Sequence, residues 1–227
     1  MTLAKDLEAY RATWVDTAEP AELKLMRDNN ALLVGLVKNA VGAGDPFPRF
    51  VLGDQLGRKT DLGALSDAGP LVVTFYRGNW CPYCNIELRA YQKALPEIVE
   101  QGARLVAISP ETPDYSLTTA EKNGLAFPVL SDAQEQLADA LRIRFELSSE
   151  LIALYKTYDI DLPKQNGEGR WSLPVPATYV VAKGGLIAEA FIDADYEKRM
   201  EPAMVIAALK ALNPRATTKT SSSGPSI

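Results

Sequence analysis

The sequence predicts an α/β fold in which a central mixed sheet is flanked by helices and preceded by a helical extension. From Phe47 onwards, β-branched and aromatic runs alternate with amphipathic segments, as in a mostly parallel sheet covered on both faces. Before that point, apolar residues recur at the helical spacings of three and four. We therefore expect an N-terminal helical extension (1–44), a main domain (45–212) and a flexible tail rich in Ser, Thr and Pro (213–227).

The extension is predicted to contain two helices between Leu3 and Val41. Glu19-Pro20 separates them, since proline disfavours helix in the residue before it, and a Gly- and Pro-rich break follows at 42–46. We expect this segment to be a packing appendage or to form the contact of a homodimer.

In the main domain, Leu71–Tyr76 has the profile of a buried central strand, because it is β-branched and aromatic and lies between Gly69-Pro70 and Gly78. The next helix begins at Pro82 and ends before Gly102. The predicted strands are Phe50–Leu52, Leu71–Tyr76, Arg104–Ser109, Thr178–Val181 and Leu186–Phe191, the last two forming an antiparallel hairpin through Lys183-Gly184-Gly185. The predicted helices are Pro82–Glu100, Asp132–Leu141, Ser148–Tyr158 and Glu201–Leu212.

Composition excludes several kinds of site. With 24 Lys and Arg against 29 Asp and Glu, the net charge is −5, which does not favour nucleic-acid binding. No apolar run is long enough to cross a bilayer, and the first residues do not resemble a secretion signal, so we expect a cytoplasmic protein without membrane contact. The absence of histidine excludes Ser-His and Cys-His nucleophiles and His-ligated metals. Two cysteines alone cannot complete a zinc site, so no metal or cofactor is expected.

The chemistry is predicted to lie in Cys81 and Cys84, where the central strand ends and a helix begins. Pro82 suits the first helical position, which makes Cys81 the cap residue with its sulfur beside free amide groups. The helix start lowers the pKa of such a thiol, and Arg77 is a further contributor.

Helical periodicity orients the second cysteine. One apolar face is formed by Cys84, Leu88, Tyr91, Leu95 and Ile98. We therefore expect Cys84 to be buried and Cys81 to lie at the exposed edge, an arrangement suited to disulfide exchange. The alternative is that both cysteines are merely small buried hydrophobic residues. Redox chemistry is favoured because Trp80 precedes the pair, Pro82 lies within it and a buried strand leads into it.

These residues, FYRGNWCPYC at 75–84, resemble the active-site segment of the thioredoxin superfamily. The resemblance is closest to the peroxiredoxin-like proteins grouped with alkyl hydroperoxide reductase and thiol-specific antioxidant. It extends from about Asp45 to Leu212 and includes RLVAISP at 104–110 and PVPATYVV at 174–181. It implies a thioredoxin-like fold and an antioxidant oxidoreductase that reduces peroxides, with Cys81 as nucleophile and Cys84 resolving. It also implies that Pro176 follows a cis peptide bond and packs beside the cysteines.

The sequence departs from the family pattern at two points. The Pro-x-x-x-Thr-x-x-Cys pattern of typical peroxiredoxins is absent in either register, and Thr74 occupies the position where thioredoxins carry a buried aspartate. Two alternatives therefore stay open: a protein-disulfide reductase of thioredoxin or glutaredoxin type, and a non-catalytic redox sensor. The expected partners are a peroxide or disulfide substrate and a thiol reductant, either thioredoxin or glutathione. Arg199 fits a supporting cation and a solvent-exposed residue equally well and is not assigned to the site.

Overall fold

The structure, a computed structural model, describes residues 2–167 and 169–213. The strands are β1 (Val51–Asp54), β2 (Lys59–Asp61), β3 (Leu71–Phe75), β4 (Arg104–Ser109), β5 (Val129–Ser131), β6 (Arg144–Glu146), β7 (Ser172–Pro174), β8 (Ala177–Val181) and β9 (Ile187–Ile192). The helices are α1 (Leu3–Val15), α2 (Pro20–Lys38), α3 (Leu62–Ala68), α4 (Pro82–Glu100), α5 (Pro113–Asn123), α6 (Gln136–Ala140), α7 (Ser149–Thr157), α8 (Leu162–Asn166) and α9 (Pro202–Leu212).

Seven strands form one mixed sheet in the order β2-β1-β5-β4-β3-β8-β9. The central strands β5, β4 and β3 are parallel, with Val73 opposite Val106, and antiparallel strands extend the sheet on both sides. The predicted hairpin is confirmed as β8 and β9, with a bulge after Val180. Strands β6 and β7 form a separate two-stranded ribbon. The predicted mixed sheet with flanking helices is thus confirmed, and its parallel part is the three-stranded centre.

The sheet separates two hydrophobic clusters, because successive strand residues point to opposite faces. Val72 faces the cluster formed with α1, α4 and α9. Val73 faces the cluster formed with α2, α3 and α6. The predicted apolar stripe of α4 is confirmed, with Leu88, Tyr91 and Ile98 fully buried in the first cluster.

The two N-terminal helices lie on both sides of this sheet. Leu3 and Leu7 of α1 join the cluster around α4, whereas Leu33 of α2 joins the cluster on the opposite face. Between them, Met26 of α2 packs against the α4 cluster and against a third cluster around α7. The extension therefore crosses the edge of the domain where β3 ends and α4 begins.

Several short elements differ from the prediction. The helix predicted at Asp132–Leu141 is confined to Gln136–Ala140, because the Asp132 carboxylate accepts hydrogen bonds from the amides of Leu137 (3.3 Å) and Ala138 (2.9 Å) across a turn. The sequence did not indicate β2, β5, β6, β7, α3, α5 or α8. The strands among them have only three residues each, too few to show a periodic pattern.

The tail predicted at 213–227 lies, from residue 214, outside the described residues. Across the part of the chain that the structure does describe, none of the helices is both long and apolar enough to cross a bilayer.

The first turn of α1 is attached to the main domain through Glu201. Its carboxylate accepts hydrogen bonds from the amides of Leu3 (3.1 Å) and Ala4 (2.6 Å), which the helix leaves unpaired. An anion at this end of a helix is also stabilised by the helix dipole.

We expect Glu201→Ala to loosen α1 by about 1 kcal/mol, the usual cost of losing an N-terminal cap. Amide hydrogen exchange over residues 3–15 should then become about fivefold faster. The exposed Glu100, at the end of α4, provides the matched control Glu100→Ala. Unchanged exchange in α1 of the Glu201 variant would contradict this anchoring role.

Candidate active site

The redox segment follows directly from the end of β3. The amide of Tyr76 still donates to Ile108 O (2.9 Å), and the chain then leaves the sheet. Cys81 has extended backbone angles and is the N-cap of α4, with Pro82 in the first helical position, as predicted. The amide of Cys84 points to the Cys81 sulfur at 3.4 Å.

Cys81 is held as a thiolate by the groups around it. Arg77 Nη2 lies 3.3 Å from the Cys81 sulfur. Burial by itself would raise the pKa of Cys81, but the hydrogen bond from Cys84 and the charges of Arg77 and Arg199 outweigh it and lower the pKa to about 5. Burial and the neighbouring Cys81 charge raise the pKa of Cys84, so the proton stays on Cys84. The Cys84 side chain and the two guanidinium groups thus act on Cys81 together with the predicted helix start.

The predicted exposure of Cys81 is wrong. Both cysteines have a relative accessibility of 0%. Cys81 lies in a hydrophobic cluster with Tyr196, and Tyr10 packs against this cluster. Burial is the main cause of the raised pKa values of Tyr10, Tyr155 and Tyr196, and the charge of Cys81 adds to it. Helical periodicity describes only one helix and cannot reveal such coverage.

Arg77 is itself almost fully buried, with 5% of its surface accessible. Its Nη1 donates to the Tyr155 hydroxyl (3.2 Å), and its guanidinium lies 4.2 Å from the ring centre of Tyr196 and 5.2 Å from that of Trp80. Aromatic faces stabilise a desolvated cation, and the Cys81 thiolate supplies the opposite charge. The predicted contribution of Arg77 is thus supported by direct contact.

A second buried cation lies at Cys84. Arg199 Nη2 is 3.6 Å from the Cys84 sulfur, and Arg199 Nε donates to Glu87 Oε2 at 2.7 Å. Of the two interpretations of Arg199, the structure therefore supports the site cation. Burial raises the pKa of Glu87 to about 7, although Arg199 opposes this rise. Glu87 is thus a carboxylate that can gain or lose a proton near neutral pH beside the resolving cysteine.

Glu111 holds the loop between β3 and α4 in place. One carboxylate oxygen accepts from the Asn79 amide (2.8 Å), and the other accepts from the hydroxyls of Tyr76 and Thr119 (both 3.3 Å). Burial raises the pKa of Glu111 to about 7, against these hydrogen bonds. In the same loop Gly78 has a φ of +158°, and a Cβ there would collide with the Trp80 indole.

Trp80, Pro82 and Pro176 are also predicted to support the site. Trp80 is half-buried, with its ring 5.3 Å from that of Tyr155, and Pro82 is exposed. Pro176 is buried directly before β8, but the predicted cis bond is wrong, because the Val175–Pro176 bond is trans. The chain runs extended from β7 into β8, and Val175 N donates to Ile143 O (2.8 Å), which the trans bond accommodates.

A cavity of about 300 Å³ is lined by residues adjacent to Cys81, although Cys81 itself does not line it. Arg77, Trp80 and Tyr196 line it, so the cavity is bounded by the residues that surround the thiolate. Most of the remaining lining is aromatic or aliphatic and comes from α1, α2, α4 and the region of α7. Across residues 2–167 and 169–213, no three Cys, Asp or Glu side chains come together to hold a metal ion.

Sequence reasoning missed Glu87, Glu111 and Tyr155 and left Arg199 unassigned. A signal existed for Glu87, which lies three residues after Cys84 and beside Leu88 on the inward side of α4. A carboxylate in that position needs a cationic partner. Glu111 and Tyr155 carry no comparable local signal, because their roles depend on contacts with distant segments.

Comparison with known proteins gives a consistent result. The sequence pattern described as the AhpC/TSA family matches residues 43–190. The thiol-disulfide oxidoreductase ResA of Geobacillus kaustophilus is 32% identical over 107 residues, 47% of this chain and 60% of that protein. Peroxiredoxin Bcp of Escherichia coli is 31% identical over 121 residues, 53% of this chain and 74% of that protein. The chain thus spans less than two thirds of ResA. The crystal structure of peroxidoxin BcpB from Mycobacterium tuberculosis superposes with a TM-score of 0.60 and is 23% identical in sequence. The superposition covers 75% of this chain and 97% of that chain, so the two proteins share the fold.

We expect Arg77→Met to raise the pKa of Cys81 from about 5 towards the ordinary value of a free cysteine, ~8.5, because the closest positive charge is lost. The ultraviolet absorbance of the thiolate, followed against pH in the reduced protein, measures this directly. Arg104→Gln, which removes an exposed arginine on β4, is the matched control and should leave the titration unchanged. An unaltered midpoint in the Arg77 variant would show that Arg77 does not stabilise the thiolate.

Proposed function

The chain belongs to the AhpC/TSA family, and from this premise we propose that it is a thiol-dependent peroxide reductase. Cys81 is the nucleophile and Cys84 the resolving residue. The observation that carries the proposal is the fully buried Cys81 sulfur in contact with Arg77, a residue that also lines a small cavity. The thiolate is the reactive form of a cysteine, and here it is present at neutral pH.

The first step oxidises Cys81. Its thiolate attacks one oxygen of the peroxide, a sulfur–oxygen bond forms and the oxygen–oxygen bond breaks. Cys81 becomes a sulfenic acid, and the leaving oxygen takes a proton from water and departs as an alcohol or as water. Arg77 lies where it can stabilise the negative charge that moves from sulfur to the leaving oxygen.

The second step forms the disulfide. The Cys84 thiol transfers its proton to Glu87, which shares the Arg199 guanidinium with it, and the new thiolate attacks the Cys81 sulfur. The sulfur–oxygen bond breaks, and the hydroxide takes up the proton and leaves as water. Glu87 takes the role of proton acceptor that Thr74 cannot perform, because a neutral hydroxyl is too weak a base; the Thr74 hydroxyl instead pairs with that of Thr178 at 3.1 Å.

The third step restores the dithiol with two electrons from a thiol reductant, thioredoxin or glutathione. A cytoplasmic location would supply such reductants. The inner faces of α1 and α2 pack on their own domain, and a homodimer would form through their outer faces.

A peroxide fits the access to Cys81 better than a protein disulfide does. A hydroperoxide is small enough to enter the cavity of about 300 Å³, whereas a protein disulfide would have to displace the covering residues. Disulfide reduction is nevertheless the second candidate. It is favoured by the Cys-x-x-Cys arrangement at a helix N-cap and by the similarity to ResA.

We expect the reduced protein to be oxidised rapidly by micromolar hydrogen peroxide, with a stopped-flow change in tryptophan fluorescence. Cys81→Ser should abolish the reaction. Cys84→Ser should instead accumulate a sulfenic acid that reacts with dimedone, because the resolving thiol is missing.

The same variants separate the alternatives. Slow oxidation by peroxide, combined with rapid Cys81-dependent exchange with a model disulfide, would establish a disulfide reductase instead. Oxidation that thioredoxin and glutathione both fail to reverse would indicate a redox sensor.

We expect the rate of disulfide formation to rise as the pH increases through about 7, because Glu87 accepts the Cys84 proton only as a carboxylate. The groups facing Glu87 are Arg199, Cys84, Thr178 and Tyr91. In Glu87→Gln the rise should move to higher pH, where Cys84 ionises unaided.

The controls for this measurement preserve the carboxylate or remove a distant one. Glu87→Asp should keep the inflection, and Glu97→Gln, at an exposed position of α4, should leave the profile unaltered. Coincident profiles for the unmodified protein and Glu87→Gln would exclude Glu87 as the proton acceptor.

A further inference from the structure

The cavity beside Cys81 has a wall that the rest of the domain does not provide. Tyr10 and Trp14 of α1 and Met26 of α2 line it, opposite the residues next to Cys81. These helices lie outside residues 43–190, the part of the chain that matches the family. The family match therefore does not account for this wall.

The helices are fixed to both sides of the cavity by polar contacts. Arg11 of α1 pairs with Glu197 (2.8 Å), which also accepts a hydrogen bond from the Tyr83 hydroxyl (2.8 Å). On the other side, the Tyr158 hydroxyl donates to Glu22 of α2 at 2.8 Å. An exposed contact such as that between Tyr158 and Glu22 contributes little energy, but together these contacts set the position of the helices over the site.

The lining is rigid and largely apolar. Edge-on ring contacts connect Tyr10 to Tyr83 (5.1 Å) and Tyr83 to Tyr196 (5.5 Å), which fixes the shape of the cavity. The charged residues of the lining are Arg77, which is balanced by the Cys81 thiolate, and Asp159, which is exposed. Such a cavity favours an uncharged, apolar group and has no cation free to bind an anionic one.

One lining residue of the cavity offers a hydrogen-bond donor. Arg77 lines the cavity, and its buried Nε has no hydrogen-bond partner among the residues that the structure describes. A buried donor in this state is stabilised by any acceptor that a ligand brings. A molecule with an apolar body and an oxygen-bearing end thus matches both parts of the cavity.

We propose that α1 and α2 form a subsite for the apolar organic group of a bulky hydroperoxide, with Trp14 and Met26 setting the preference for such substrates over hydrogen peroxide. This inference rests on the proposed peroxide reductase function and identifies its specificity-determining residues. A cavity of about 300 Å³ lies at the lower end of the size range of ligand pockets, which suits a single aromatic ring or a short branched chain.

The test compares cumene hydroperoxide with hydrogen peroxide in kinetic assays of Trp14→Ala and Met26→Ala. Each variant removes the apolar contact between one side chain and the organic group of the substrate. We expect this loss to lower kcat/KM for cumene hydroperoxide about tenfold, mainly through a higher KM. The rate with hydrogen peroxide should stay within about twofold, because that substrate has no organic group. Leu32→Ala is the matched control, since Leu32 lies on α2 but is 79% exposed and does not line the cavity.

A second measurement does not depend on turnover. The alcohol product, 2-phenyl-2-propanol, should bind the reduced protein in calorimetry, and Met26→Ala should weaken its binding by a similar factor. Equal losses with both peroxides would show that the helices only support the fold and would overturn the subsite. Turnover of hydrogen peroxide without preference for cumene hydroperoxide, and without binding of the alcohol, would overturn the subsite alone. If neither peroxide oxidises Cys81, the proposed function itself fails.

Discussion

The contact between the Cys81 thiolate and the Arg77 guanidinium is the interaction on which the rest of the site depends. A negative charge inside a protein needs an opposite charge close by, or the group takes up a proton. Arg77 meets this need only because it is buried as well, between Trp80 and Tyr196 and against the Tyr155 hydroxyl. Segments far apart in sequence must therefore assemble before Cys81 can be a thiolate. The reactivity of the site is a property of the complete fold, not of the Cys-x-x-Cys segment alone.

Local features of the site could be predicted from the sequence, whereas its coverage could not. The bounds of α4 and the cap position of Cys81 depend on residues a few positions apart, such as Pro82 and Gly102, and the structure agrees with both. The burial of Cys81 and the place of Arg199 depend on packing between distant segments. The cis bond expected at Pro176 came from family resemblance, and the observed trans bond belongs to the extended path between β7 and β8.

The N-terminal helices change the electrostatics of the site as well as its shape. Tyr10 of α1 packs against the cluster that contains Cys81, and burial raises the pKa of Cys81. The same burial lowers the effective dielectric constant, which strengthens the attraction of Arg77 and Arg199 for the thiolate. Because the pKa ends at about 5, the hydrogen bond from Cys84 and the two guanidinium charges together exceed the penalty. Covering Cys81 is thus compatible with activating it, provided that both guanidinium groups are retained.

Charge balance also bears on the redox state of the cysteine pair. In the reduced protein, Arg77 contacts the Cys81 thiolate, and Arg199 contacts both the Cys84 sulfur and the Glu87 carboxylate. Formation of the disulfide removes the negative charge of Cys81, which leaves the Arg77 guanidinium without its anionic partner. Because the thiolate is stabilised only in the reduced protein, the same cations favour the dithiol over the disulfide, which suits a pair that a thiol reductant must restore after every turnover.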